Sequence, residues 1–302
     1  MKQEIIQAEI LGFCSGVKRA METALKLRED FPQRKIFTFD QLIHNNEAVK
    51  FLESKKIYAL EKQTALTLNK NFSDAIIIVC AHGIEVEAKM KLEKNFKTVI
   101  DATCPHVLQS QKKAFTAAKE NCNVILVGEK KHQEVLSIKS YVDLAEKKKC
   151  IIIANLAEAK KLALKLTSAD LPICLIAQTT LKQTEYNEIA KVFSQKVSAI
   201  SDNKCEQNFN VLKTICPATQ KRQDALIKLA HICDAVLIVG GKNSTNTNRL
   251  FITAKKIQPN SFLVENADEL PPEVFSAKKL GIAAGASTPD FVLESIKQKL
   301  GS

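Results

Sequence analysis

The chain contains no run of about 18 apolar residues, so a transmembrane helix is not expected. No basic region followed by an apolar stretch and a small-residue cleavage site precedes the motif starting at Gly12. A removable leader is therefore not expected, and the expected location is the cytoplasm. Aromatic residues make up only 6% and there is no tryptophan, which gives little basis for a base-stacking platform. There is no Walker A loop, no flavin or nicotinamide fingerprint, and no Cys-x-x-Cys pair. Nucleoside triphosphate binding and bound-nucleotide redox chemistry lose support on that ground.

What is present is charge, bulk and cysteine. The net charge of +11 suggests nucleic acid, but the lysines are scattered over many helical stretches instead of lying in one stripe. A basic surface that steers an acidic electron carrier or an anionic substrate is the narrower reading. At 302 residues, 45% hydrophobic and 25% charged, the chain is large enough to split into more than one domain. Nine cysteines is an odd number, and in a reducing compartment they are expected to be thiols, not a disulfide framework. Cys80, Cys150 and Cys174 sit in or beside apolar runs and read as packing. Cys122, Cys205 and Cys233 have no second feature near them and read as structural.

Short apolar, β-branched segments at 36–39, 75–79, 124–127, 150–154, 173–176, 235–239 and 280–283 read as strands. Helical spacing at 17–28, 220–230 and 291–300 alternates with them. This is an α/β pattern with mostly parallel strands. Three cysteines share one local context: AEILGFCSGVKRA around Cys14, TVIDATCPHVLQSQKKA around Cys104 and NVLKTICPATQKRQDA around Cys216. In each, an extended apolar segment ends at Cys and a helix follows. Pro105 and Pro217 suit a first helical turn.

Similar offsets recur after each cysteine. A polar residue at a strand-to-helix turn follows 30, 28 and 28 residues on, at His44, His132 and Ser244. Another follows at offsets 68, 75 and 71, at His82, Thr179 and Ser287. A repeat near 100 residues is too long for a solenoid and fits three copies of a small α/β unit, with boundaries at 14–103, 104–212 and 213–302 and with 1–13 packing on the third. In such units the loops at the carboxyl ends of parallel strands collect ligands. Facing a common axis, the units would point three thiols and six polar groups at one cavity.

Three converging thiolates need a cation between them. A [4Fe-4S] cluster held by three cysteines leaves one iron open for Lewis-acid catalysis, unlike the four-cysteine clusters of electron carriers. A Cys3His structural zinc site is the rival, and a non-catalytic nucleic-acid module is a third reading. His44, His82, Ser244, Asn246 and Ser287 lie at helix starts, where backbone N–H groups and the helix dipole favour phosphate. The segment GGKNSTNTN is Gly-, Ser- and Asn-rich, as an anion-cradling turn should be. Taken singly, each Ser or Asn is more often a helix cap, and His44 or His82 more often a structural histidine; the matched offsets favour the functional reading. Glu134 stands just beyond a strand and suits a general acid, or a first-turn acid that complements the helix dipole. Thr179 and Thr180 suit a proton relay.

The segments GFCSGVKRA, HNNEAV, AHG, DATCPHV, HQE, QTTL, TICPAT, GGKNSTNTNRL and AGASTPD, in this order from Gly12 to Asp290, resemble the 4-hydroxy-3-methylbut-2-enyl diphosphate reductases. These are the last enzymes of the methylerythritol phosphate route to isoprenoids. The resemblance implies a trefoil of three α/β domains around one [4Fe-4S] cluster per chain. It implies two-electron removal of a hydroxyl from an allylic diphosphate, giving isopentenyl and dimethylallyl diphosphates, with an external one-electron donor of ferredoxin or flavodoxin type. It implies Cys14, Cys104 and Cys216 as iron ligands. His44, His82, Ser244, Asn246 and Ser287 would hold the diphosphate, with His132 and Thr245 near it. Glu134 would be the proton source and Thr179 would assist at the substrate hydroxyl. The sequence departs from the family pattern in three places. Gln133 stands where Pro is usual, Thr245 replaces a Ser, and 192–210 is longer than usual. Loss of the Pro is expected to loosen the turn that aims Glu134.

Overall fold

The computed structural model describes residues 3–67, 72, 74–146, 149–201 and 208–301. Cys205 and part of the long 192–210 stretch lie outside them. Twelve strands occur among the described residues: β1 (Glu4–Gln7), β2 (Ile36–Phe39), β3 (Ile57–Leu60), β4 (Ile76–Val79), β5 (Thr98–Asp101), β6 (Asn123–Val127), β7 (Cys150–Ile153), β8 (Ile173–Ala177), β9 (Phe209–Val211), β10 (Ala235–Val239), β11 (Ser261–Val264) and β12 (Lys279–Ala284). They form three four-stranded sheets with the orders β3-β2-β4-β5, β7-β6-β8-β9 and β11-β10-β12-β1, and every pairing is parallel. The fold is α/β, built from three similar small units.

The central strands carry sequences such as IIIV, ICLIA and AVLIV, buried along their whole length. Parallel sheets covered by helices on both faces demand this. The period of two then sorts side chains between two cores. Ile125 and Val127 enter one apolar cluster while Val124 and Leu126 enter another. Leu237 and Val239 likewise part from Val236 and Ile238. Burying any one of these side chains is worth about 1.5–3 kcal/mol.

The chain divides into two compact units, one formed by Met1–Ala81, Asn95–Ala102 and Pro217–Ser302, the other by His82–Lys94 and Thr103–Cys216. The first holds the sheets of β2 and of β10, and the second holds the sheet of β6. In each sheet the two central strands run into turns carrying the marked polar residues: His44 and His82 after β2 and β4, His132 and Thr179 after β6 and β8, Ser244 and Ser287 after β10 and β12. The edge strands β5, β9 and β1 lead to Cys104, Cys216 and Cys14. No helix among the described residues is long and apolar enough to cross a membrane.

Candidate active site

In the second unit, the turn after β6 and the turn after β8 meet. His132 caps the helix Gln133–Asp143, its Nδ1 accepting the Glu134 N–H at 3.1 Å. The ring therefore fixes the turn that carries no proline at position 133. Glu134 follows in the first turn and is 1% exposed. Its Oε1 accepts the Thr179 N–H at 2.6 Å and its Oε2 accepts the Thr179 hydroxyl at 2.9 Å. Charge-assisted bonds of this kind are about twice as strong as neutral ones. The Thr179 carbonyl in turn accepts the Cys216 N–H at 2.9 Å, so one turn holds both the carboxylate and the thiol-bearing segment. The His82 and His132 rings meet edge to face with centroids 5.4 Å apart. Gly83, at φ +73°, takes a left-handed turn, and a Cβ there would lie 2.7 Å from Gln111 Nε2, so glycine relieves strain in the turn behind His82.

In the first unit, the loops around 12–14, 44–45, 240–247 and 285–288 pack together. The Cys14 N–H donates to the Ala286 carbonyl at 3.0 Å, repeating the device seen at Cys216. Ser287 Oγ donates to the His44 carbonyl at 3.2 Å. A Cβ at Gly241 would lie 2.6 Å from that same carbonyl, so the glycine allows the GGKNST loop its close approach. Ser244 caps the helix Thr245–Ile257 by accepting the Thr247 N–H, and Thr245 and Asn246 occupy its first two positions. Asn246 is 7% exposed, and its buried Nδ2 has no hydrogen-bond partner among the described residues. Orphaned donors of this kind are rare in native cores and point to a missing acceptor.

Cys14 and Cys104 are the N-caps of the helices Ser15–Asp30 and Pro105–Lys119, and Cys216 directly precedes Pro217–Ile232. All three are partly exposed, whereas Cys80, Cys122, Cys174 and Cys233 are buried. Cys150 is partly exposed too, but burial, with the neighbouring Asp143 carboxylate adding, pushes its thiol up to about 12. Cys174 is pushed up by burial and by the neighbouring Cys122 thiol. These two thiols stay protonated, as packing residues should.

A family model described as LytB protein matches residues 5–301. The chain belongs to the LytB family. LytB relatives named 4-hydroxy-3-methylbut-2-enyl diphosphate reductase include one from Treponema denticola, 41% identical over 97% of this chain and 98% of the relative. Another, from Aquifex aeolicus, is 34% identical over 98% of this chain and 96% of its own length. A solved structure of (E)-4-hydroxy-3-methyl-but-2-enyl diphosphate reductase, described as the terminal enzyme of the non-mevalonate pathway, shares 34% identity at a TM-score of 0.69, covering 99% of each chain. The structure of the E-1-hydroxy-2-methyl-but-2-enyl-4-diphosphate reductase from Plasmodium falciparum superposes at 0.85, with 25% identity over 100% of this chain and 89% of that one.

Sequence reading passed over Arg222, Thr247 and Asn45. Asn45 caps the helix Asn46–Ser54 beside His44, and Thr247 packs its hydroxyl against Gly240 and Gly285. Arg222 lies six residues after Cys216, and at the same offset from Cys14 and Cys104 stand Ala20 and Ser110. The repeat that revealed the other positions therefore hides this one.

Proposed function

We propose that this chain carries out the reaction for which its LytB relatives are named. The hydroxyl of 4-hydroxy-3-methylbut-2-enyl diphosphate is removed reductively, giving isopentenyl and dimethylallyl diphosphates. The conversion consumes two electrons and two protons, and the hydroxyl leaves as water. The observation that carries the reading is the buried Glu134 carboxylate, gripped by the Thr179 N–H and hydroxyl on the turn that also holds the Cys216 backbone. The reading takes 14–103, 104–212 and 213–302 as three α/β modules, with 1–13 added to the third.

Cys14, Cys104 and Cys216 would hold one [4Fe-4S] cluster per chain, in keeping with the iron–sulfur chemistry of the family. The donor set fits: each is a partly exposed thiol at a helix start, and thiols are the ligands of iron–sulfur clusters. Bound there, the cluster supplies electrons from an external ferredoxin- or flavodoxin-type donor and an iron without a cysteine ligand as a Lewis acid.

Glu134, protonated, gives its proton to the departing hydroxyl as general acid. The Thr179 N–H then holds Oε1 of the carboxylate that remains, while its hydroxyl on Oε2 provides a relay. Because His132 Nδ1 is already an acceptor, the neutral ring carries its proton on Nε2, and that nitrogen is the donor toward a phosphate oxygen. His44, His82, Ser244, Thr245, Asn246 and Ser287 complete the diphosphate set, with Asn246 Nδ2 as the buried donor that gains an acceptor. Fixed donors of this kind bind the anion without reorganising.

The test is anaerobic reconstitution, iron and acid-labile sulfide analysis, and electron paramagnetic resonance with and without the diphosphate substrate. Acid-labile sulfide with about four irons per chain, a signal that changes on substrate addition, and both products under a reduced viologen dye are expected. One zinc per chain without sulfide would overturn the reading in favour of a structural site.

A further inference from the structure

Arg222 sits in the middle of the helix Pro217–Ile232, 3% exposed. Its guanidinium makes no ion pair among the described residues. Instead Nη1 donates to the carbonyls of Ala284 at 2.9 Å and Ile10 at 3.3 Å, and Nη2 donates to the Gly12 carbonyl at 3.0 Å. These carbonyls flank Cys14 from two directions. Gly12 and Ile10 lie on the segment leading into Cys14, and Ala284 lies two residues before Ala286, whose carbonyl accepts the Cys14 N–H. One buried cation thus ties together the two backbone segments that place Cys14. Asp290 packs against Gly12, and among the described residues no carboxylate bonds to Arg222.

A buried charge without a counter-ion is costly, and proteins ordinarily avoid it. Removing the guanidinium would leave three buried carbonyls without their donor, and a negative charge placed nearby would stabilise the cation further. Burial lowers the pKa of Arg222, and electrostatic attraction to Cys14 opposes that shift. Cys14 thus stands within electrostatic reach of the guanidinium.

We propose that Arg222 is a positioning residue that serves as the fixed counter-charge of the iron–sulfur centre ligated by Cys14, raising that centre's reduction potential. The inference rests on the cluster reading of the preceding section. Each one-electron reduction by the external donor adds one negative charge to the centre. A cation fixed in a low-dielectric surround stabilises the reduced form more than the oxidised one. A neutral side chain that merely filled the same space would not.

The test measures midpoint potentials on reconstituted wild type, Arg222→Lys, Arg222→Gln and Arg222→Met. Iron and sulfide per chain and a thermal melt are recorded for each. Arg222→Gln keeps amide donors for the carbonyls, Arg222→Met keeps only bulk, and Arg222→Lys keeps the charge. The expected result is a shift to more negative potential in both neutral variants and a potential near wild type in Arg222→Lys. Wild-type potential in the neutral variants would overturn the proposal. So would a fall in Arg222→Lys equal to theirs. Should both neutral variants lose the fold, Arg222→Lys decides alone, with a wild-type potential supporting the proposal and a lowered one overturning it. Absence of any cluster in wild type would sink the cluster reading itself, which is a separate outcome.

Discussion

Glu134→Gln separates chemistry from structure with little disturbance to packing. Oε1 accepts the Thr179 N–H at 2.6 Å and Oε2 accepts the Thr179 hydroxyl at 2.9 Å. A glutamine amide has the same outline. Its carbonyl keeps the N–H bond, and its NH2 donates to a hydroxyl that rotates to accept. Both partners stay satisfied, so the stability cost is no more than that of one altered hydrogen bond, about 1 kcal/mol. What disappears is the transferable proton. A positioned general acid contributes about 10²–10⁴-fold, and at about 1.4 kcal/mol per tenfold the barrier rises by about 3 to 5 kcal/mol. The assay is anaerobic turnover with a reduced viologen dye, alongside substrate binding and iron and sulfide content. The expected variant keeps its cluster and its affinity but loses kcat by that factor. Undiminished kcat would remove Glu134 from the mechanism, and an equal loss accompanied by loss of the cluster would make its role structural.

Two further expectations concern stability. The Tyr186 hydroxyl, fully buried, donates to the Leu175 carbonyl at 2.7 Å and to the Leu212 carbonyl at 3.0 Å. Tyr186→Phe should cost about 1–3 kcal/mol, read as a lower urea midpoint at unchanged slope, and an unmoved midpoint would contradict the accounting. Glu158 is held below its usual carboxylate range by the Ala154 N–H and then by Lys130. A depressed carboxylate stabilises the fold above the unfolded-state pKa and loses that contribution as pH falls through its folded value. Glu158→Gln should therefore melt lower than the parent near neutrality and converge with it in acid, and a gap that persists in acid would contradict the assignment.

The central strands were legible because burial on both faces restricts their sequences: β4, β8 and β10 read IIIV, ICLIA and AVLIV as unbroken apolar runs, and β2, β6 and β12 depart from that at only one or two positions. The strands that sequence reading passed over, β1, β3, β5, β9 and β11, are all edges. An edge strand packs on fewer neighbours, so EIIQ, IYAL and FNV keep polar or exposed positions and lose the signal. Yet three of those edges lead to Cys14, Cys104 and Cys216. The cysteines are found through the extended apolar segment before each, the helix start after it and the offsets that follow, although the edge strands themselves are not read.

By itself the sequence determined the α/β class, the recurrence of one module, and the residue types at each strand-to-helix turn. These follow from periodicity and from the demands of a helix start, which are local. Tertiary structure alone decided that Thr179 grips a carboxylate 45 residues away, that Asn246 Nδ2 is buried with no partner among the described residues, and that Arg222 reaches three carbonyls more than 60 residues from it. Parallel crossovers bring distant turns side by side, and only the packed sheet shows which side chain meets which.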